Sequence, residues 1–373
     1  MKNVLVTGSN GFIGKNLIEA LNRKEDVCVK CFDREDTTDT LVGLIKDADF
    51  IYHIAGANRP KKIEEFEAVN VDLTQKIVDI LATYNKKAPI VYTSSIQAGK
   101  DNPYGKSKKR GEDILIKYSV ENNVPIYIYR LLNVFGKWAK PNYNSVVATF
   151  CYNIARNIEI EISDPKTELE LIYIDDLVEE FLKAIEREGK YSENYFFKID
   201  TTFKITLKRL AEVIYEFKNI KGTQIVPDMY DRFTRCLYAT YLSCVDKDEL
   251  HYELDTKSDN RGQLTEIIKS RHFGQIFISK SNKGVIRGNH YHNTKIEKFC
   301  VIEGKAVIRL RNIFSNDSEK INYYVSGDKI KIVDIPPGYT HSIENLSDGE
   351  LIVLFWADEI FNPCEPDTYF KEV

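Results

Sequence analysis

Eight residues, Thr7-Gly8-Ser9-Asn10-Gly11-Phe12-Ile13-Gly14, follow directly on a short apolar run, Val4-Leu5-Val6, and lead into an amphipathic stretch from Lys15 to Asn22. Strand, glycine turn and helix start in that order describe the first crossover of a parallel sheet. The glycines let backbone come close to a pyrophosphate, and the helix N-terminus offers it unpaired N–H groups. Gly8, Gly11 and Gly14, with Phe12 and Ile13 between them, are therefore candidate dinucleotide-binding residues.

The apolar run Val27 to Phe32 predicts a second strand that ends at Asp33-Arg34, where side chains reach the ribose of a bound adenosine. An acid there holds the 2′-hydroxyl of NAD and an arginine accepts the 2′-phosphate of NADP, so Asp33 and Arg34 pull in opposite directions. Asp49 to Gly56 reads as a buried strand ending in small residues, Ala55 among them, suited to running close beneath a cofactor. Ile90 to Ser95 reads as another, with the hydroxyls of Ser94 and Ser95 at its carboxyl end. Ligands bind at that end of open parallel sheets.

A helix should begin next, with Asn102 as its cap and Pro103 in its first turn. On it Tyr104 and Lys108 are four apart and share a face, so the ammonium favours the phenolate and is expected to lower the phenol's pKa. A bare Tyr-x-x-x-Lys is ordinary on an amphipathic helix, but here it follows a glycine turn and a serine pair.

Together with Tyr129 to Gly136 (YRLLNVFG), these motifs resemble, in order, the extended short-chain dehydrogenase/reductase family over roughly residues 1 to 245. The resemblance implies a Rossmann α/β fold, a nicotinamide cofactor and, most often, a nucleotide-sugar substrate. It implies Tyr104 as proton donor, Lys108 as the residue that tunes it and holds the nicotinamide ribose, and Ser94 or Ser95 as the hydrogen bond to the substrate carbonyl. Counting back from Gly99 favours Ser94, although the family's usual Tyr before that Gly is Ala98 here. The connection from the serines to Tyr104 is shorter than is usual in the family. Arg130 and Asn133 fall where that family contacts substrate, and Arg34 with a hydride-consuming role favours NADPH.

Composition excludes other classes. A formal net charge of −4 and no basic stripe leave nucleic acid an unexpected partner. No run approaches the roughly eighteen apolar residues of a membrane span, and the first residues lead straight into a strand, so neither membrane insertion nor a leader is expected and the cytoplasm is the expected compartment. Seven cysteines at irregular spacing fit a reducing compartment better than a disulfide framework. Cys28 and Cys31 lie three apart in a predicted strand, point to opposite faces and are expected to be buried apolar-like side chains.

Between Pro141 and Cys244 helical periods continue, but from about Asp246 short alternating strands and turns such as Ser326-Gly327-Asp328 mark an all-β domain. The expected division is residues 1–245 and 246–373. The second part carries Gly284, His290-Tyr291-His292, Glu297 and Gly304, then Pro336-Pro337-Gly338-Tyr339-Thr340-His341. His290 and His292 on one strand face, a carboxylate from Glu297 and an imidazole from His341 suit one divalent metal, with zinc the first expectation and iron, manganese or nickel also compatible. Cys300, three residues beyond Glu297 on the same strand, should face away.

These two motifs resemble the cupin superfamily, a small β-barrel, with Ile330 where a glycine is usual. Asp259-Asn260-Arg261-Gly262 and Val285 to Tyr291 (VIRGNHY) are similar to segments of its nucleotide-sugar 3-epimerase branch. That likeness implies Arg261 and Arg287 as diphosphate contacts and His290 as a metal-free base, whereas the ligand set above implies a metal at the same residue. A reductase joined to such a cupin resembles the bifunctional enzymes of bacterial capsule that make the N-acetyl-L-fucosamine precursor. The likeness implies a homodimer acting on a UDP-linked 2-acetamido-2,6-dideoxy-4-ketohexose, a 4-keto-6-deoxy amino sugar. C3 would be epimerised in the cupin and C4 reduced by NADPH in the Rossmann domain, giving the 6-deoxy-L-talose derivative. A dehydratase/epimerase that retains its NAD, with a non-catalytic metal-binding cupin as dimerisation module, is the other reading.

Overall fold

The computed structural model describes residues 1–60, 62–186, 195–254, 256–259, 262–265, 268, 274–316, 319–359 and 362–373. The chain packs as two compact units, Met1–Ser145 with Glu168–Lys204, and Val146–Thr167 with Ile205–Val373. The boundary expected at 245/246 lies inside the second of these.

The first unit is built on β1 (Lys2–Thr7), β2 (Val27–Phe32), β3 (Phe50–His53), β4 (Ile90–Ser95) and β5 (Ile126–Leu131). With the short strand Phe196–Phe197 they form one parallel sheet in the order β2-β1-β3-β4-β5 and then 196–197. All four residues of β3 and all six of β4 are buried, so neither strand shows the apolar–polar alternation of a half-exposed one. Leu5, Ile51, Ile90 and Ile128 of the sheet form one core with the helix residues Leu41, Ile45, Ile77, Leu81 and Leu115. Because β2 and β3 flank β1 on opposite sides, the chain reverses its winding there, and the carboxyl ends of β1 and β3 open a crevice of the kind that binds ligands. β2 is the edge strand, so Cys28 is only half-buried and Cys31 is exposed. The expectation that both are buried fails for that reason.

The second unit contains the helices Val146–Ala155, Leu207–Thr223 and Arg232–Cys244 and, after them, antiparallel strands. One five-stranded sheet runs His251–Glu253, Lys331–Ile335, Glu297–Glu303, Leu351–Ala357, Gln275–Ser281. The other runs Ile321–Ser326, Lys305–Asn312, Tyr339–Asn345, Ile286–Tyr291, Tyr369–Phe370. Apart from Lys305–Asn312 with the strand that follows it, the partners in these two sheets lie far apart in sequence, so their register is set by apolar alternation rather than by local turns. Among the described residues no helix is long and apolar enough to cross a membrane.

Candidate active site and metal centre

At the head of β1, Gly8 has φ +71°, and a Cβ there would stand 2.8 Å from the Ala55 backbone. A Cβ on Gly14 would come within 2.3 Å of the Gly8 carbonyl oxygen. The turn is therefore a cradle only glycine can line. Gly11 precedes the helix Phe12–Leu21 without a side-chain cap, leaving its first N–H groups suited to an anion. These features fit a dinucleotide. Asp33 serves the same turn: Oδ2 accepts from the Asn10 N–H at 2.7 Å and the Ser9 hydroxyl at 3.3 Å, and Oδ1 from the Arg34 N–H at 2.8 Å. Arg34 itself is exposed.

The helix Pro103–Asn122 starts as the sequence predicts, with Asn102 accepting the Gly105 N–H at 2.8 Å and Pro103 in the first turn. Lys108 is buried, and its Nζ donates to the Thr93 carbonyl at 2.9 Å. Burial lowers its pKa to about 8, while the carboxylate of Glu112, one turn on, pulls it upward. Burial raises the Tyr104 phenol, a hydrogen bond from Ser95 opposes this, and Tyr143 adds to the rise. The net direction is up, not down as expected from sequence, because desolvation dominates and the Lys108 ammonium is turned to a carbonyl.

Ser94 and Ser95 alternate on β4 and so serve different partners. The Ser94 hydroxyl donates to Glu112 at 2.6 Å, and the fully buried Glu112 also takes two hydrogen bonds from Arg130, at 2.8 and 2.6 Å. Ser95 is the serine beside Tyr104, and it also accepts the Gln97 N–H at 3.2 Å in the one-turn helix Ile96–Gly99 that fills the short connection. Counting favours Ser94; the geometry favours Ser95. Arg130, expected at substrate, faces Glu112 with its guanidinium 4.5 Å from the Phe196 ring centroid. Asn133 is exposed at the start of the strand Asn133–Phe135.

In the second unit, one ligand atom from each of His290, His292, Glu297 and His341 lies within 4.8 Å of the others. A bulge brings them together. Arg287 stands opposite Ile343 and His290 opposite His341, with the register shifting between Gly288 (φ +101°) and His290 through Asn289 (φ +55°). Cross-strand partners share a face, as do residues two apart, so Arg287 and His290 point to one side although an unbroken strand would part them. Arg287 is exposed and donates to the Lys280 carbonyl at 3.1 Å. Arg261 lies outside the described residues.

The Nε2 atoms of His292 and His341 stand 3.1 and 3.5 Å from Glu297 Oε2. Both are buried and neither makes a hydrogen bond of good geometry, so two orphaned ring nitrogens and a carboxylate face one point. That donor set fits a divalent cation. Burial alone would raise Glu297, but the two imidazoles beside it hold its carboxyl well below the usual range. Burial, then His341 and His292, lower His290 to about 4. Cys300 is buried outside this group, its thiol raised to about 11 by desolvation.

Residues 4–196 match the family described as NAD dependent epimerase/dehydratase. The chain belongs to that family. Residues 257–369 match a polysaccharide biosynthesis C-terminal domain. The chain is 42% identical over 366 residues to UDP-2-acetamido-2,6-beta-L-arabino-hexul-4-ose reductase of Pseudomonas aeruginosa, across 98% of this chain and 97% of the relative. The solved capsular polysaccharide assembling protein CapF from Staphylococcus aureus is 45% identical with a TM-score of 0.67, each chain covered at 100%. UDP-glucuronic acid 4-epimerase from Bacillus cereus, solved with NAD, shares the fold over 59% of this chain and 84% of its own, at 19% identity and a TM-score of 0.51.

Three residues around this candidate site were not singled out from the sequence. Glu112 repeats the four-residue step of Tyr104 and Lys108, a periodicity that was there to be found. His53 bridges Thr7 and Thr74 hydroxyls at 2.8 Å each and is kept neutral by burial and by Lys108, which lower it to about 3. Asn70 sits on a π-helical turn, Ala68–Asp72, and its amide pairs with both backbone groups of Ala57 and with the Ser107 hydroxyl, all at 2.9 Å. Nothing in a sequence marks such a turn.

Proposed function

We propose that this chain is a bifunctional enzyme that epimerises C3 of a UDP-linked 2-acetamido-2,6-dideoxy-4-ketohexose and reduces its C4 ketone with NADPH. The product is the UDP-2-acetamido-2,6-dideoxy-L-talose derivative for capsular polysaccharide. What carries the reading is the near-complete alignment with a reductase of such a ketone, together with Tyr104 and Lys108 one helical turn apart and Lys108 packed against Gly56, next to the Ala55 backbone that closes on Gly8. Gly8, Gly11 and Gly14 would hold a nicotinamide dinucleotide there, and when bound it would supply a hydride for C4. Ser95 donates to the C4 oxygen, and Tyr104 delivers the proton that the resulting alkoxide requires. Lys108, kept cationic by Glu112, holds the ribose and stabilises the phenolate left behind. Arg34 meets the 2′-phosphate, since the carboxylate of Asp33 is already bound by the turn.

The antiparallel strands form the cupin barrel in this reading, and its cluster is the epimerase site. His292, Glu297 and His341 hold a divalent cation, most simply zinc, with His290 at its rim; bound there, the ion would supply a Lewis acid for the C4 oxygen. His290, less buried than the other three and on the face of Arg287, takes the C3 proton. The C4 ketone acidifies that proton, so one functional group serves both steps. Arg287, joined by Arg261, binds the diphosphate through a planar fork of donors. The test is product analysis by NMR after incubating the chain with the 4-keto sugar and NADPH. The expected product is inverted at C3 and reduced at C4; a C4 alcohol with the original C3 configuration would reject the epimerase half.

A further inference from the structure

Near the end of the chain, Tyr369 and Phe370 pair with Tyr291 and His290 and carry the backbone past the histidine cluster. Two residues earlier, Asp367 adopts φ +38°, a region that costs energy for most side chains and is tolerated best by Asn and Asp. Its carboxylate binds the loop between His292 and Glu297. Oδ1 accepts the Asn293 N–H at 2.9 Å, and Oδ2 accepts the Thr294 N–H at 2.9 Å, the Lys295 N–H at 2.7 Å and the Thr294 hydroxyl at 3.0 Å. The Asp367 carbonyl meanwhile accepts from Nδ1 of His292 at 2.6 Å. Lys295 adds a bond from its Nζ to the Pro366 carbonyl at 2.7 Å.

We propose that Asp367 is the positioning residue of the metal centre, holding His292 and Glu297 at ligand spacing from a segment 70 residues further on. Two effects combine. A carbonyl can only accept, so it fixes the proton of His292 on Nδ1 and leaves the Nε2 lone pair, 3.1 Å from Glu297, for the cation. Three successive N–H groups converging on one carboxylate fix the path of the loop, and with it the distance between the two ligands. The inference rests on the metal reading above and extends it from the ligands to the chain terminus.

Asp367→Asn tests it in the full chain, because Asn keeps the size and tolerates the positive φ but removes the charge and turns a donor toward the N–H groups. Zinc affinity is measured by competition with a chromophoric chelator, and thermal unfolding is followed with and without zinc. The expected result is affinity about 10- to 100-fold weaker than wild type, with the zinc-bound Tm falling by more than the zinc-free Tm. Equal affinity would overturn the inference and leave the metal reading intact; a wild-type chain that binds no zinc would overturn both. Should Asp367→Asn fail to fold, Thr294→Val removes one of the four bonds and is expected to weaken zinc by about two- to fivefold, and an unchanged affinity would again contradict the proposal.

Discussion

The two sites are assembled in opposite ways. In the first unit Tyr104, Lys108 and Glu112 come from one face of one helix, and a break in that helix would be needed to separate them. In the second, the candidate cluster draws on His290 and His292 at one end of a strand, Glu297 across a loop, and His341 from a partner strand, with Asp367 bonded to the loop from 70 residues beyond Glu297. A helical period fixes neighbours in space by local geometry alone. A sheet site depends on register, and here on a bulge that one residue inserted or lost would undo. The helical site should therefore respond to substitutions through chemistry, and the sheet site through geometry as well.

Tyr104→Phe probes the first half most severely: kcat for reduction of the 4-keto sugar is expected to fall by about 10²- to 10⁴-fold while NADPH affinity stays within about twofold. Rates near wild type would mean that the proton comes from elsewhere. Glu297→Gln probes the second: C3 deuterium exchange without nicotinamide should fall by about 100-fold along with zinc content, and reduction of an already epimerised ketone should persist. Loss of both activities together would show that the two sites are not separable as described.

Glu112→Gln sharpens the contrast within the helix. Lys108 acts as a cation, and its pKa is lowered to about 8 by burial, so reduction is expected to decline as pH rises through that value. Glu112 raises Lys108; its neutralisation lets the pKa fall further and moves the alkaline limb of kcat/KM to lower pH, with about a three- to tenfold loss at pH 8. A limb that stays in place would assign Glu112 to Ser94 and Arg130 alone. An effect of similar size is expected at the ribose end of the cofactor site, where Arg34→Ala should raise KM for NADPH about tenfold and leave NADH within about twofold.

The helical site was legible in the sequence down to its cap, because Asn102, Pro103, Tyr104 and Lys108 are consecutive signals on one element. What the sequence could not supply was competition for side chains. Ser94 and Ser95 look alike in a motif, and only the buried Glu112 between Ser94 and Arg130 separates them. Asp33 similarly reads as a ribose ligand until the Asn10 and Ser9 donors are seen to hold it. The histidines and Glu297 were legible as ligand types at suggestive spacing. The bulge at Asn289 and the reach of Asp367 were not, since a positive φ in a non-glycine residue and a contact across 75 positions leave no periodic trace.

One variant tests most directly whether the two chemistries are separate. Full-length Tyr104→Phe is incubated with the 4-keto sugar and zinc in D2O without nicotinamide, and the C3 position is followed by NMR. Deuterium should enter C3 at a rate within about twofold of wild type, because the base and the cation site belong to the other unit. Exchange abolished by this single hydroxyl, in a folded protein that still binds the sugar, would place both steps at Tyr104 and leave the histidine cluster without a catalytic part.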